Sequence, residues 1–68
     1  MAAAIINGRR VQIPDTSSDD EIRQAGGIKS GRTLTRRNRF GNYVIPRGSK
    51  VNVSDGDVFV DAPARVKG

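Results

Sequence analysis

Asn7-Gly8 lies between two short runs, Ala3-Ala4-Ile5-Ile6 and Arg9-Arg10-Val11-Gln12-Ile13. A two-residue hairpin loop must match the right-handed twist of its strands. The type I′ turn does so, but it needs φ > 0 at both central residues, which Asn and Gly tolerate best. The pair therefore predicts an antiparallel hairpin with strands at 3–7 and 9–13. Val11 and Ile13 alternate with Arg10 and Gln12, so the second strand buries one face only. Pro14 ends it, because proline cannot donate to a ladder. A lone hairpin is marginal in water, so the rest of the chain must cover this one.

The next segment supplies a cover. Ser18 with Glu21 three residues later forms a capping box, and Ser17 with Asp20 is a near match. Asp19, Asp20 and Glu21 fall in the first turn, where the helix dipole favours negative charge. Gly26 and Gly27 suit a left-handed helix end. The pattern predicts a helix over 18–25. Two turns cannot persist alone, so Ile22 and Ala25 must pack on the sheet, against Ile5 or Ile6, Val11 or Ile13, Leu34 and Phe59.

Beyond Ser30-Gly31 the pattern is extended again. Thr33-Leu34-Thr35-Arg36 reads as a strand, Asn38 to Asn42 as a loop bending at Gly41, and Tyr43-Val44-Ile45 as a strand stopped by Pro46. Arg47-Gly48-Ser49-Lys50 is a turn, and Val51 and Val53 alternate with Asn52 and Ser54. After the Asp55-Gly56 turn, Val58-Phe59-Val60 is a continuous apolar run, expected in the middle of the sheet. From Asp61 the pattern dissolves into Ala62-Pro63-Ala64-Arg65-Val66-Lys67-Gly68, an exposed tail. Hairpin, helix and further strands predict an α+β domain.

Composition narrows the function. The chain has 68 residues with neither Cys nor His. Disulfides, thiolate metal sites and Ser-His or Cys-His catalysis are excluded. A chain of this length buries only about 60% of its unfolded surface, too little core for a deep cofactor cleft. No metal site is expected: Asp19, Asp20 and Glu21 read as capping, and Asp55 and Asp57 as a turn without a calcium loop's further ligands. No phosphate loop is present, since Gly26-Gly27 follows a helix instead of opening one. Met1 to Ile6 is too short for a membrane span or a signal peptide, so a cytoplasmic protein is expected.

Charge is concentrated. Lys and Arg number 12 and Asp and Glu 7, a net of +5. Residues 32 to 50 hold Arg32, Arg36, Arg37, Arg39, Arg47 and Lys50 and no acid. A solvated face, an acidic protein partner and a nucleic acid all fit such a patch. With Phe40 and Tyr43 beside the arginines, bases could stack while Arg holds phosphates. A small basic OB-fold domain would look similar, but its helix comes after the third strand, and here the helix follows two.

With these elements in order, the chain resembles ubiquitin-like β-grasp proteins. Ile6-Asn7-Gly8, Tyr43-Val44-Ile45-Pro46-Arg47 and Asp55-Gly56-Asp57-Val58 are similar to pieces of the sulfur carriers of thiamin and molybdopterin synthesis. The hairpin, Asp20-Glu21-Ile22-Arg23-Gln24-Ala25-Gly26 and the late Asp-Gly-Asp resemble the bacterial ubiquitin-like type, sometimes called multiubiquitin. The resemblance implies a β-grasp domain over 1–61 and an extended tail over 62–68. It implies a non-enzymatic protein modifier, activated at Gly68 by an ATP-using enzyme and conjugated to targets. Its partners would be that activating enzyme, a conjugating enzyme, a processing protease and the target protein. The chain itself needs no cofactor, because ATP and Mg²⁺ belong to the activating partner. Ala64, Arg65, Val66 and Lys67 would thread Gly68 to the ATP, with Pro63 holding the segment out of the sheet. Arg32, Arg36, Arg37, Arg39, Phe40 and Tyr43 would form the partner-binding face. The chain departs from the family in ending Lys67-Gly68 instead of Gly-Gly. That departure and the helix favour conjugation over sulfur transfer. The alternatives are a sulfur carrier, or a small OB-like nucleic-acid-binding domain.

Overall fold

A computed structural model describes residues 1–38 and 40–62. The elements run β1 (Ala2–Ile6), β2 (Arg9–Ile13), β3 (Thr16–Ser18), α1 (Asp19–Gly26), β4 (Thr33–Asn38), β5 (Gly41–Val44), β6 (Lys50–Asn52) and β7 (Val58–Ala62). Five strands form one mixed sheet in the order β2-β1-β7-β4-β5, and β3 pairs with β6 in a second, two-stranded sheet. The five-stranded sheet stays open, with β2 and β5 at its edges.

The hairpin forms as its turn chemistry requires. Ala2 pairs with Ile13 and Ile6 with Arg9, and the turn residues Asn7 and Gly8 have φ of 51° and 82°. The helix is closed at both ends by local bonds. Ser18 Oγ accepts from the Glu21 N–H at 3.2 Å, and the Ser18 N–H donates to Glu21 Oε1 at 2.8 Å. At the other end Gly27, with φ 70°, donates to the Gln24 carbonyl while the Ile28 N–H donates to that of Arg23. This is a Schellman pairing, and Ile28 after it is buried in the core.

Gly26 has a different reason for being glycine. It is the last helical residue, and a Cβ there would overlap Ile6 Cγ2. The helix thus rests directly on β1. Ala2, Ala4, Ile6, Ile13, Ile22, Leu34 and Phe59 are buried on this side, with Ala25 and Val11 packed against them. Ile6 and Ile13 take the core positions, while Ile5 lies on the opposite face by alternation.

β7 occupies the centre of the sheet, parallel to β1 (Ile6 beside Phe59) and antiparallel to β4 (Arg36 beside Phe59). It runs on through Asp61 and Ala62, where the sequence suggested a tail. Asn7 Oδ1 accepts from the Asp61 N–H at 3.1 Å, and Ala62 pairs with Thr33. β4 and β5 also extend further than the sequence suggests, with Asn38 opposite Gly41. Within the expected loop over 38–42, Asn38 and Gly41 are paired instead, and Asn38 Oδ1 accepts from the Phe40 N–H at 2.8 Å. Ile45 lies just past β5, yet its N–H donates to the Leu34 carbonyl at 2.9 Å. The pairing of Thr16–Ser18 with Lys50–Asn52 was not anticipated, because Thr-Ser-Ser carries no strand pattern and its partner lies far along the chain. Buried Ser17 donates from Oγ to the Pro14 carbonyl at 2.7 Å, which satisfies its one polar group.

Candidate functional site

The arginine-rich segment lies on β4, and the structure divides its members. Cross-strand pairing sets Leu34 and Arg36 on the helix-facing side, beside Asp61 and Phe59 of β7. Arg36 pairs through its guanidinium with Asp57 Oδ2, and its Cζ stands 5.9 Å from the centroid of the Phe59 ring. Asp57 is fixed in turn by the Ser54 N–H, which donates to Oδ2 at 2.8 Å. Arg32 pairs with Asp61 at 3.0 Å. That hydrogen bond holds the Asp61 carboxyl below its ordinary range; partial burial opposes the shift, and the Arg32 charge and the Asn7 side chain add to it. Two of the expected docking arginines therefore carry internal ion pairs. The acids that neutralise them come from 51–68, a segment that looked separate in sequence.

Arg37 lies on the other side of β4, exposed, between Val58 and Asn42. No described carboxylate pairs with Arg37 or with Lys50. Phe40 and Tyr43 are exposed, at 80% and 52%. Arg39 lies outside the described residues. So do Pro63, Ala64, Arg65, Val66, Lys67 and Gly68, the whole of the expected reactive segment.

Two surfaces remain. The first is the sheet face turned away from α1. Its register sets Arg10, Ile5, Val58, Arg37 and Asn42 in one row across all five strands. Val60, Thr35 and Val44 form the neighbouring row. The Thr35 hydroxyl is occupied by the Val60 carbonyl at 2.9 Å. The result is an apolar strip between two arginines. The second surface is a concavity of about 540 Å³ on the helix-facing side of β5, lined in part by Arg36, Tyr43, Val44, Pro46, Lys50 and Val51.

Asp19 stands in the first turn of α1, as its capping pattern requires. It is buried, and so is Arg23 one turn later. Asp19 Oδ2 meets Arg23 Nε at 3.4 Å, and Asp19 Oδ1 accepts from the Gly48 N–H at 2.8 Å. Arg23 also donates to the carbonyls of Lys29 and Arg32, at 3.2 and 2.7 Å. This pair ties the helix to the loops on both sides of β4 and β5. The i, i+4 spacing was its only signal in the sequence. Among the described residues no three acidic side chains converge on a point that could hold a metal, and no helix is long and apolar enough to cross a membrane.

No protein-family model, no curated protein and no solved structure matches the chain.

Proposed function

We propose that the domain is a β-grasp fold and that the protein is a ubiquitin-like modifier. The observation that carries the fold is the sheet order β2-β1-β7-β4-β5, reached by a hairpin, then the short β3 and the helix, then the remaining strands, with β3 and β6 paired apart from that sheet. It places the first and last strands side by side and parallel at the centre. A helix seated on one face leaves the other face free for partners, and the row Arg10-Ile5-Val58-Arg37 suits them. An apolar strip supplies area there, while the flanking arginines steer acidic surfaces.

In this reading the chain is not itself an enzyme, and its setting is cytoplasmic. The reactive segment follows β7. The Gly68 carboxylate attacks the α-phosphate of ATP in an activating enzyme, and pyrophosphate leaves. A thiol of that enzyme then takes the acyl group and AMP leaves. Transfer to an amine of the target protein completes conjugation, with the processing protease and conjugating enzyme as further partners. Glycine passes a narrow channel without steric conflict. The test is pyrophosphate exchange with a cognate activating enzyme. Gly68→Val is expected to stop exchange and Lys67→Ala to leave most of it, both with unchanged thermal unfolding. Equal exchange by Gly68→Val and wild type would end the modifier reading. Passage of the acyl group to a sulfur donor, and none to protein, would assign a sulfur carrier instead.

A further inference from the structure

We infer that the free edge of β5 accepts an acidic, extended segment of a partner protein as a sixth strand. This surface is distinct from the outer sheet face and does not depend on the chemistry of Gly68.

The backbone geometry is the first support. β5 is an edge strand and all four of its residues are exposed. The Ile45 N–H donates inward to Leu34. Antiparallel bonding alternates, so Tyr43 and Gly41 also face β4, while Asn42 and Val44 direct N–H and C=O outward. These groups lie one strand repeat apart, as an incoming strand requires.

The contrast between the two edges is the second. Edge strands are normally blunted by charge, proline or a bulge. β2 follows that rule, with exposed Arg9 and Arg10. β5 reads Gly-Asn-Tyr-Val, without charge or proline, and Pro46 comes only after it ends. Its edge is left able to pair.

Charge selects the occupant. Lys50 lines the concavity on one side of β5, and Arg37 lies behind the short Asn42 side chain on the other. Neither is paired with a described carboxylate, and no acid lines the concavity. An added strand meets positive charge on both its faces. Its inward residue falls on Tyr43, Pro46 and Val51, which favours an apolar side chain there. A second copy of this chain is disfavoured, because edge-to-edge pairing would bring each Arg37 and Lys50 toward its counterpart.

The experiment uses the full chain, ¹⁵N-labelled, titrated with the peptide Asp-Glu-Val-Asp-Val-Asp-Glu. The largest amide shifts are expected at Asn42 and Val44, with slowed hydrogen exchange at both. Methylating alternate peptide nitrogens leaves the protein untouched and removes the strand bonds, so it is expected to weaken binding about tenfold or more. Lys50→Glu is expected to weaken binding by a similar factor, with the folded spectrum retained. Shifts centred on Ile5 and Val58, or binding indifferent to N-methylation, would overturn the inference. So would oligothymidine binding at the same amides more tightly than the peptide, which would make the edge a nucleic-acid surface.

Discussion

Gly26 lies so close to Ile6 that a Cβ at position 26 would overlap Ile6 Cγ2. This contact sets the height of α1 above the sheet and explains the two glycines at its end separately. Gly26→Ala would gain about 1 kcal/mol in helix propensity. It must also displace Ile6 within a filled core, which costs about 1–3 kcal/mol. Net destabilisation is expected in urea unfolding. Gly27→Ala meets no neighbouring atom but is strained at φ 70°, at a cost of about 1 kcal/mol. Ile6→Ala removes Cγ2, so combined with Gly26→Ala it should lose clearly less than the sum of the two. Strict additivity would mean that the contact is not what constrains position 26.

The buried Asp19–Arg23 pair should behave as a unit. Asp19→Asn leaves the Arg23 charge in the interior without its counter-ion, at about 3–5 kcal/mol. Arg23→Met leaves Asp19 without its counter-ion and the Lys29 and Arg32 carbonyls without that donor. The double variant, with neither charge, should be more stable than the sum of the single losses implies. A double-mutant cycle by chemical denaturation measures this, and a coupling near zero would remove the pair from the account of how α1 holds its loops.

Asp61 predicts a feature of the acid limb. Arg32 holds its folded-state carboxyl below the ordinary value of 3.8. In the acid range the unfolded chain therefore binds the proton first. The stabilisation is complete above the unfolded value and is lost as pH falls through the folded one. Between about pH 5 and about pH 2 the wild type should lose stability more steeply than Asp61→Asn or Arg32→Ala. Parallel curves for all three proteins would contradict this assignment.

Arg36 and Arg37 are neighbours with opposite duties. Arg36→Ala removes the Asp57 partner and the cation over Phe59, and is expected to cost about 1–2 kcal/mol of stability. Arg37→Ala should leave stability within about 0.5 kcal/mol. Any weak binding of single-stranded DNA should reverse the ranking. Loss of Arg37 should lower the slope of log affinity against log salt by about 0.7, the share of one phosphate contact. Binding that survives roughly 0.15 M salt and falls by about 1–3 kcal/mol with Tyr43→Ala would favour nucleic acid as the true partner.

Whatever a few adjacent residues can settle was legible in the sequence. The Asn7-Gly8 turn, the Ser18–Glu21 box, the Gly27 helix end and the apolar run of β7 all act within a turn or two of chain, and each formed where its chemistry required. The docking residues were legible only as a basic stretch. Residue types name the charges, but they do not say which acids will lie across the sheet from them. Strand register decided that: pairing β7 against β4 delivered Asp61 to Arg32 and set Asp57 against Arg36, and left Arg37 free of them. Tertiary packing also buried Asp19, paired Thr16–Ser18 with Lys50–Asn52, and gave Gly26 its reason. These are contacts between residues far apart along the chain, and their energy exists only once the sheet has closed on the helix.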